Sequence, residues 1–299
     1  MAAPYRTEEI TKKADLANWL CVQHKASSYL ELATASTGFQ FSLVSRTLFS
    51  TVHRALYRIP ADYDDGMEVT FPSTAPNSHE CKAALLAAGR RYDVIFLDPW
   101  HSYEDSIHDL KLGLELLADG GVMVVHDCCP TRREITVPDY IEGEWMGVTY
   151  LAFLDLMRDR PELDYCVADM DYGCAVIWRR KAGKAPMPHR ALLTSCNYHD
   201  WDTYFANRRE LLNLLPTSET LNHLRKRPLT RLIPASIRFR QASLETCTRL
   251  GQSTKETAGR LKQKVVSAHE SFHARSRRYR KVLRITKRVT RQILRLPPA

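Results

Sequence analysis

The chain has 299 residues, long for one domain and short for three, with 44% hydrophobic and 26% charged residues. Those values suit a globular protein with a sizeable core and exclude a disordered chain, a collagen-like chain and a small disulfide scaffold. The net charge of +9 averages two unlike parts: residues 216–299 hold 21 Lys+Arg against 4 Asp+Glu, net +17, whereas residues 1–215 are net −8.

No stretch reaches the roughly 18 uninterrupted apolar residues of a membrane helix. Met1 to Lys13 carries Arg6, Glu8, Glu9, Lys12 and Lys13 without the apolar core of a signal peptide. The eight cysteines form no CxxC pair and no zinc spacing. Together these features predict reduced thiols in a cytoplasmic protein.

In chain order, helical spacing of Ile10, Ala14, Leu16, Ala17, Leu20 and Cys21 predicts a helix over 7–23. Strand candidates follow at Tyr29–Ala33, at Arg54–Ile59 before Pro60, and at Glu68–Phe71 before Pro72. Between the first two, Phe39–Phe49 reads as helix-like. His79–Ala88 is helical and ends at Gly89. Tyr92–Leu97 (YDVIFL) reads as a buried strand, Tyr103–Ala118 as an amphipathic helix, and Val122–Val125 as a second buried strand. Gly147–Arg158 is helical, and Leu163–Val167 with Gly173–Trp178 suggests a closing hairpin. Asn197–Leu215 looks helical, and prolines punctuate a linker after it. Strands alternating with helices predict an α/β fold with a mostly parallel sheet. The expected organisation is a core domain over 1–185, an auxiliary segment over 186–233 and a basic helical tail over 234–299.

Ligands of such a sheet bind beyond the carboxyl ends of its strands. Three strand ends carry suggestive residues. The first is Glu31-Leu-Ala-Thr-Ala-Ser-Thr-Gly38, whose small residues let the backbone approach a ligand closely; an ordinary βα turn fits it equally well. The second is Asp98-Pro-Trp-His101, which places a carboxylate and an imidazole at the mouth of one strand, as a metal ligand beside a general base requires. The third is His126-Asp127, whose carboxylate could share an oxygen-ligated cation with Asp98.

The run from Tyr92 to Cys128, YDVIFLDPWHSYEDSIHDLKLGLELLADGGVMVVHDC, resembles class I S-adenosylmethionine-dependent methyltransferases. It is most similar to the O-methyltransferase group with D-x-x-H-x-Y after strand four and GG-x-x-x-x-HD after strand five. Weaker similarity spans 25–180 and includes Met146-Gly-Val and Asp169-Met-Asp-Tyr-Gly. The resemblance implies a Rossmann-like methyltransferase sheet with a closing antiparallel hairpin. It implies S-adenosylmethionine contacts at Glu31, Ala33, Thr34, Ala35, Gly38, Asp98 and Trp100. It also implies Mg²⁺ ligands at Asp98 and Asp127 and a catalytic base at His101. His126 stands where the first member of an acidic metal-binding pair is usual, and is a further candidate ligand.

The sequence departs from the family's pattern in three places. Ala33 and Ala35 stand where E-x-G-x-x-x-G expects glycine. No acid ends strand two, and Asp98 is followed by Pro99 rather than glycine. The expected acceptor is a hydroxylated small molecule or a saccharide. Two other readings stay open: a degenerate methyltransferase fold that binds without catalysis, and a nucleic-acid amino-methyltransferase, whose D/N-P-P-aromatic turn Asp98-Pro99-Trp100 approaches but lacks in its second proline. A homo-oligomer is also left open.

Between Leu250 and Ile293 an apolar stripe including Leu261, Val265, Phe272, Tyr279, Val282 and Val289 runs among Lys and Arg. Such a helix suits packing of its stripe on its own domain or an anionic membrane surface, with nucleic-acid phosphates and a partner helix less favoured. Truncation after Pro234 is expected to abolish binding to anionic vesicles at low salt in a sedimentation assay while leaving a folded domain. Full-length protein that ignores such vesicles would remove the membrane reading.

Overall fold

The computed structural model describes residues 10–35 and 38–226, with the backbone only for 38–40. The basic tail expected over 234–299 lies outside the described residues. The elements in chain order are α1 (Lys13–His24), β1 (Ser28–Thr34), a 3₁₀ turn (Gly38–Leu43), β2 (Thr51–Tyr57), β3 (Phe71–Pro72) and α2 (His79–Ala87). Then come β4 (Tyr92–Asp98), α3 (Tyr103–Leu116), β5 (Leu117–Val125), α4 (Thr149–Asp159), β6 (Leu163–Asp169) and β7 (Cys174–Arg179). The series closes with α5 (Leu192–Ser195), α6 (Trp201–Leu211), β8 (Leu214–Pro216) and α7 (Thr217–Arg225).

All eight strands form one sheet in the order β3-β2-β1-β4-β5-β7-β6-β8. β1 pairs in parallel with β2 and β4, and β4 with β5; β7 is antiparallel to both β5 and β6. The expected Rossmann-like sheet with a closing hairpin is therefore present. The two apolar runs YDVIFL and GVMVV are adjacent parallel strands, with Val94 beside Val122 and Leu97 beside Val125. Their continuous hydrophobicity has a simple cause. Ile95 and Leu97 pack into a core with α2, α3, α4 and α6, while Val94 and Phe96 pack into a second core with α1 and α7. A strand buried on both faces has no position where a polar residue is cheap.

Three elements differ from expectation. Only Gly38–Leu43 of the helix-like 39–49 stretch winds, as a 3₁₀ turn, and the third strand shrinks to Phe71–Pro72. The long helix expected over 197–215 is shorter. α6 ends at Leu211, Asn213 takes a left-handed φ of +44°, and Leu214–Pro216 joins β6 as a parallel edge strand. An asparagine tolerates that conformation because its short side chain bonds locally; here its amide donates to the Tyr165 carbonyl at 3.1 Å. Residues 188–225 thus add to the same sheet and core. No helix among the described residues is long and apolar enough to cross a membrane.

α3 matters most for the site, because it holds the loop after β4. Ser102 caps it, accepting the Asp105 N–H at 3.2 Å, and Glu104 and Asp105 face its positive end. Leu97, the last apolar residue of β4, has no exposed surface. Leu97→Ala should destabilise the fold by about 2–5 kcal/mol, the range for a buried Leu truncation. Urea denaturation reads this directly; a loss under about 1 kcal/mol would mean that this strand is not core.

Candidate active site

The parallel strands β1, β4 and β5 end side by side, and Ala33 stands in register with Asp98. Asp98 closes β4, and His126 and Asp127 follow β5 directly. Asp127 adopts a left-handed φ of +58°. Aspartate tolerates this better than most residues, and such strain gathers at functional sites. One ligand atom each from Asp98, His101 and Asp127 lies within 4.8 Å of the others, and all three residues are buried. The sequence-predicted carboxylate pair and base candidate are therefore brought together.

The imidazole of His101 is held from both sides. Its Nδ1 lies 2.8 Å from the Trp145 carbonyl, which can only accept, so Nδ1 carries the proton. Its Nε2 then faces Asp127 Oδ2 at 2.9 Å and Asp98 Oδ1 at 3.5 Å, close but without the alignment of a hydrogen bond. Burial alone would lower its pKa, but the two carboxylates outweigh burial and push it up to about 9. Two flanking negative charges make Nε2 a strong proton acceptor.

His126 lies against the same carboxylates. Its Nδ1 is 3.1 Å from Asp127 Oδ2 and 3.5 Å from Asp98 Oδ1, and its Nε2 is 3.5 Å from Asp171 Oδ1. Burial works against its ionisation, yet Asp127 and Asp98 raise it well above the ordinary imidazole value. Asp98 is held well below the usual carboxylate range: burial opposes this, and the charges of Lys13 and His126 prevail.

Two residues of this cluster carried no site assignment from the sequence. Lys13 opens α1 and places its ammonium 2.7 Å from Asp98 Oδ2. Asp171 sits in the β6–β7 turn, where it, Tyr172 and Gly173 all take left-handed φ values of +46°, +57° and +87°. Gly173 is needed there, because a side chain would collide with the Cys129 backbone. The Asp-Tyr-Gly motif was the only sequence signal for this turn. For Lys13 there was none.

The loop after β1 carries the other predicted residues. Ala33, Thr34 and Ala35 are buried, with Gly38 opening the 3₁₀ turn. Glu31 is fully buried; Tyr29 donates to its Oε2 at 3.1 Å, while Oε1 makes no hydrogen bond and lies 3.9 Å from Arg54 Nε. Burial pushes the Glu31 carboxyl up to about 8 despite Arg54. An orphaned buried oxygen beside a small-residue turn fits a cofactor that donates hydrogen bonds. Trp100 keeps different company. The Arg58 guanidinium lies 4.1 Å over its ring, and Tyr140 stacks on it at 5.5 Å. Trp145 closes this aromatic group and lies 5.1 Å from the His101 ring. The donor set Asp98, Asp127 and a neighbouring imidazole nitrogen fits a divalent cation chemically.

Gly147 fixes the position of His101. It has φ +52°, and a Cβ there would collide with the His101 carbonyl oxygen and lie 2.7 Å from the His101 Cβ. Gly147→Ala should therefore lower Tm by several degrees, from about 1–3 kcal/mol of strain and overpacking, and displace His101. A melting scan with unchanged Tm would show that the loop has room.

Residues 13–128 match the family model described as a methyltransferase domain. Among solved structures, the chain is similar to the O-methyltransferase TomG from Streptomyces achromogenes, involved in tomaymycin synthesis, in complex with SAM. That pair is 16% identical over 56% of this chain and 80% of the other, with a TM-score of 0.43. It is also similar to an O-methyltransferase from Bacillus cereus in complex with SAH, 14% identical over 60% and 84% of the two chains, TM-score 0.40. A third is the SAH-bound methyltransferase PaMTH1 from Podospora anserina, 14% identical over 56% and 78%, TM-score 0.41. No curated protein matches the chain. Residues 13–128 thus carry a methyltransferase domain, and the strand order places it on a Rossmann-like sheet with a closing antiparallel hairpin.

Proposed function

We propose that the protein transfers a methyl group from S-adenosylmethionine to a hydroxyl of a small molecule or saccharide. The observation that carries this reading is the meeting of Asp98, His101 and Asp127 at the ends of β4 and β5, beside the loop after β1.

S-adenosylmethionine, when bound, supplies a sulfonium methyl for in-line attack by oxygen. A divalent cation held by Asp98 and Asp127, with His126 as a further ligand, would supply Lewis-acid lowering of the acceptor hydroxyl's pKa. The chain's own residues do the rest. In its neutral form, which its pKa of about 9 favours only at alkaline pH, His101 takes the hydroxyl proton at Nε2, and the flanking carboxylates stabilise the imidazolium that results. The Trp145 carbonyl holds the ring by its other nitrogen, so the basic atom points at the carboxylates. Glu31 Oε1, beside Ala33 and Ala35, receives a donor of the cofactor. Trp100, Tyr140 and Trp145 exclude water from one side of His101. Most of the acceleration comes from holding two substrates in line.

Domain roles follow the same reading: residues 1–185 carry the chemistry, 186–233 extend the sheet, and 234–299 tether the protein to an anionic surface.

Calorimetry with S-adenosylmethionine should detect binding by the full chain. Transfer of a labelled methyl to a panel of polyhydroxylated acceptors should be lost in Asp98→Ala. It should fall by roughly 10²–10⁴ in His101→Ala, the usual worth of a positioned general base. Binding without transfer to any hydroxyl acceptor would favour the non-catalytic reading.

A further inference from the structure

The buried cluster contains one cation that the proposed reaction does not use. Lys13 is the first residue of α1, and its side chain is only 18% exposed. The ammonium donates to Asp98 Oδ2 at 2.7 Å and lies 3.2 Å from His126 Nδ1. Its backbone N–H donates to Asp171 Oδ2 at 3.2 Å, which pins the start of the helix against the β6–β7 turn. Lys13 is thus not a surface lysine that happens to reach inward; both its backbone and its side chain are tied to the strand-end carboxylates.

The position of the ammonium matters more than its charge. His126 Nδ1 faces Asp127 Oδ2 at 3.1 Å and Asp98 Oδ1 at 3.5 Å. His126 thus flanks the same two carboxylates as His101. A cation with metal–ligand bonds of about 2.0–2.2 Å needs ligand atoms close together, and one ligand atom each of Asp98, His101 and Asp127 lies within 4.8 Å of the others. Lys13 stands on the His126 flank, bonded to one of the two carboxylates and in contact with that imidazole. A lysine ammonium has three donors and no acceptor, so it cannot join a coordination shell. It can only oppose a second positive charge, and it does so where solvent screening is weak.

We propose that Lys13 is the resident counter-cation of the Asp98–Asp127 pair, and that its buried charge, held on Asp98 Oδ2, opposes the entry of a divalent metal ion at Asp98 Oδ1 and Asp127. The metal affinity of this site is then lowered by the charge of one lysine. This deepens the metal-assisted part of the reading above. It is tested by metal binding alone, so its failure leaves methyl transfer untouched, and failure of methyl transfer leaves it standing.

The test is a Mn²⁺ titration of the full chain without S-adenosylmethionine, following free Mn²⁺ by electron paramagnetic resonance. Wild-type protein should bind weakly. Lys13→Met, which keeps the stem and loses the charge, should bind at least tenfold more tightly, and Lys13→Arg should remain as weak as wild type. Lys13→Gln carries the same expectation as Lys13→Met should the methionine variant fail to fold. Three results would each overturn the proposal: submicromolar Mn²⁺ binding by the wild type, a neutral variant no tighter than wild type, or an equal gain in Lys13→Arg.

Discussion

Two carboxylates buried side by side are the constraint around which this end of the molecule is arranged. Asp98 and Asp127 leave neighbouring strands of a sheet covered on both faces, so neither can turn its charge to bulk water. Two like charges in that setting cost several kcal/mol unless cations meet them. The chain answers from three directions: Lys13 from α1, His101 from the loop before α3, and His126 from the end of β5. Each approach needs its own local device. Ser102 caps α3 so that the His101 loop ends where it does, Gly147 leaves room for the His101 backbone, and the left-handed turn at 171–173 brings Asp171 under Lys13 and His126. The left-handed backbone of Asp127 belongs to the same arrangement. The strain is tolerable because it is offset by the attraction between the groups it brings together.

The parts of this arrangement that sit on strand ends were legible in the sequence. YDVIFL and GVMVV announce buried neighbouring strands, and the polar residues directly after them, Asp98, His101, His126 and Asp127, have no place to go but the common mouth. The contributions from elsewhere were not legible, for physical reasons. Lys13 reaches Asp98 across 85 positions and His126 across 113, and an apolar helix pattern says nothing about the lysine at its first turn. Trp145 orients His101 through its carbonyl oxygen, which every residue possesses. The fold was legible on the same terms. Long runs buried on both faces were clear, whereas β3 and β8, of two and three residues, carry too little pattern to separate from their surroundings.

The cofactor side shows how the family's pattern is altered. Strand two normally ends in an acid; here β2 ends at Tyr57, followed by Arg58 at φ +55°. Tyr57 is committed to structure. Its hydroxyl accepts the Trp100 N–H at 2.6 Å and donates to Asp109 at 2.9 Å. Three positions earlier on β2, Arg54, the register partner of Glu31, is wholly buried and bonds Asp65 Oδ2 at 2.6 Å. Arg54 thus ties the loop after β2 to the first loop's glutamate. Acids do exist in this region, but they arrive on the loop rather than on the strand, and Asp65 is already spent on Arg54. Alanines in place of glycines narrow the same turn by two methyl groups. Among the described residues of this region, Glu31 Oε1 is a buried oxygen that makes no hydrogen bond.

Around Trp100 the limiting factor is access. Arg58 covers one region of the Trp100 ring and Tyr140 stacks on it, while Trp145 packs against both Tyr140 and His101. Trp100 is therefore a support and offers a ligand little free face. The ring that remains open is Tyr140, 59% exposed on the segment between β5 and α4. That segment is anchored at its far end by the Met146 and Gly147 N–H groups bonding the Ile135 carbonyl, and by Val148 bonding the His101 carbonyl at 2.9 Å. The segment that carries Tyr140 is thus bonded to the backbone of His101. A displacement of one is a displacement of the other, so the position of the Tyr140 segment and that of His101 are set together.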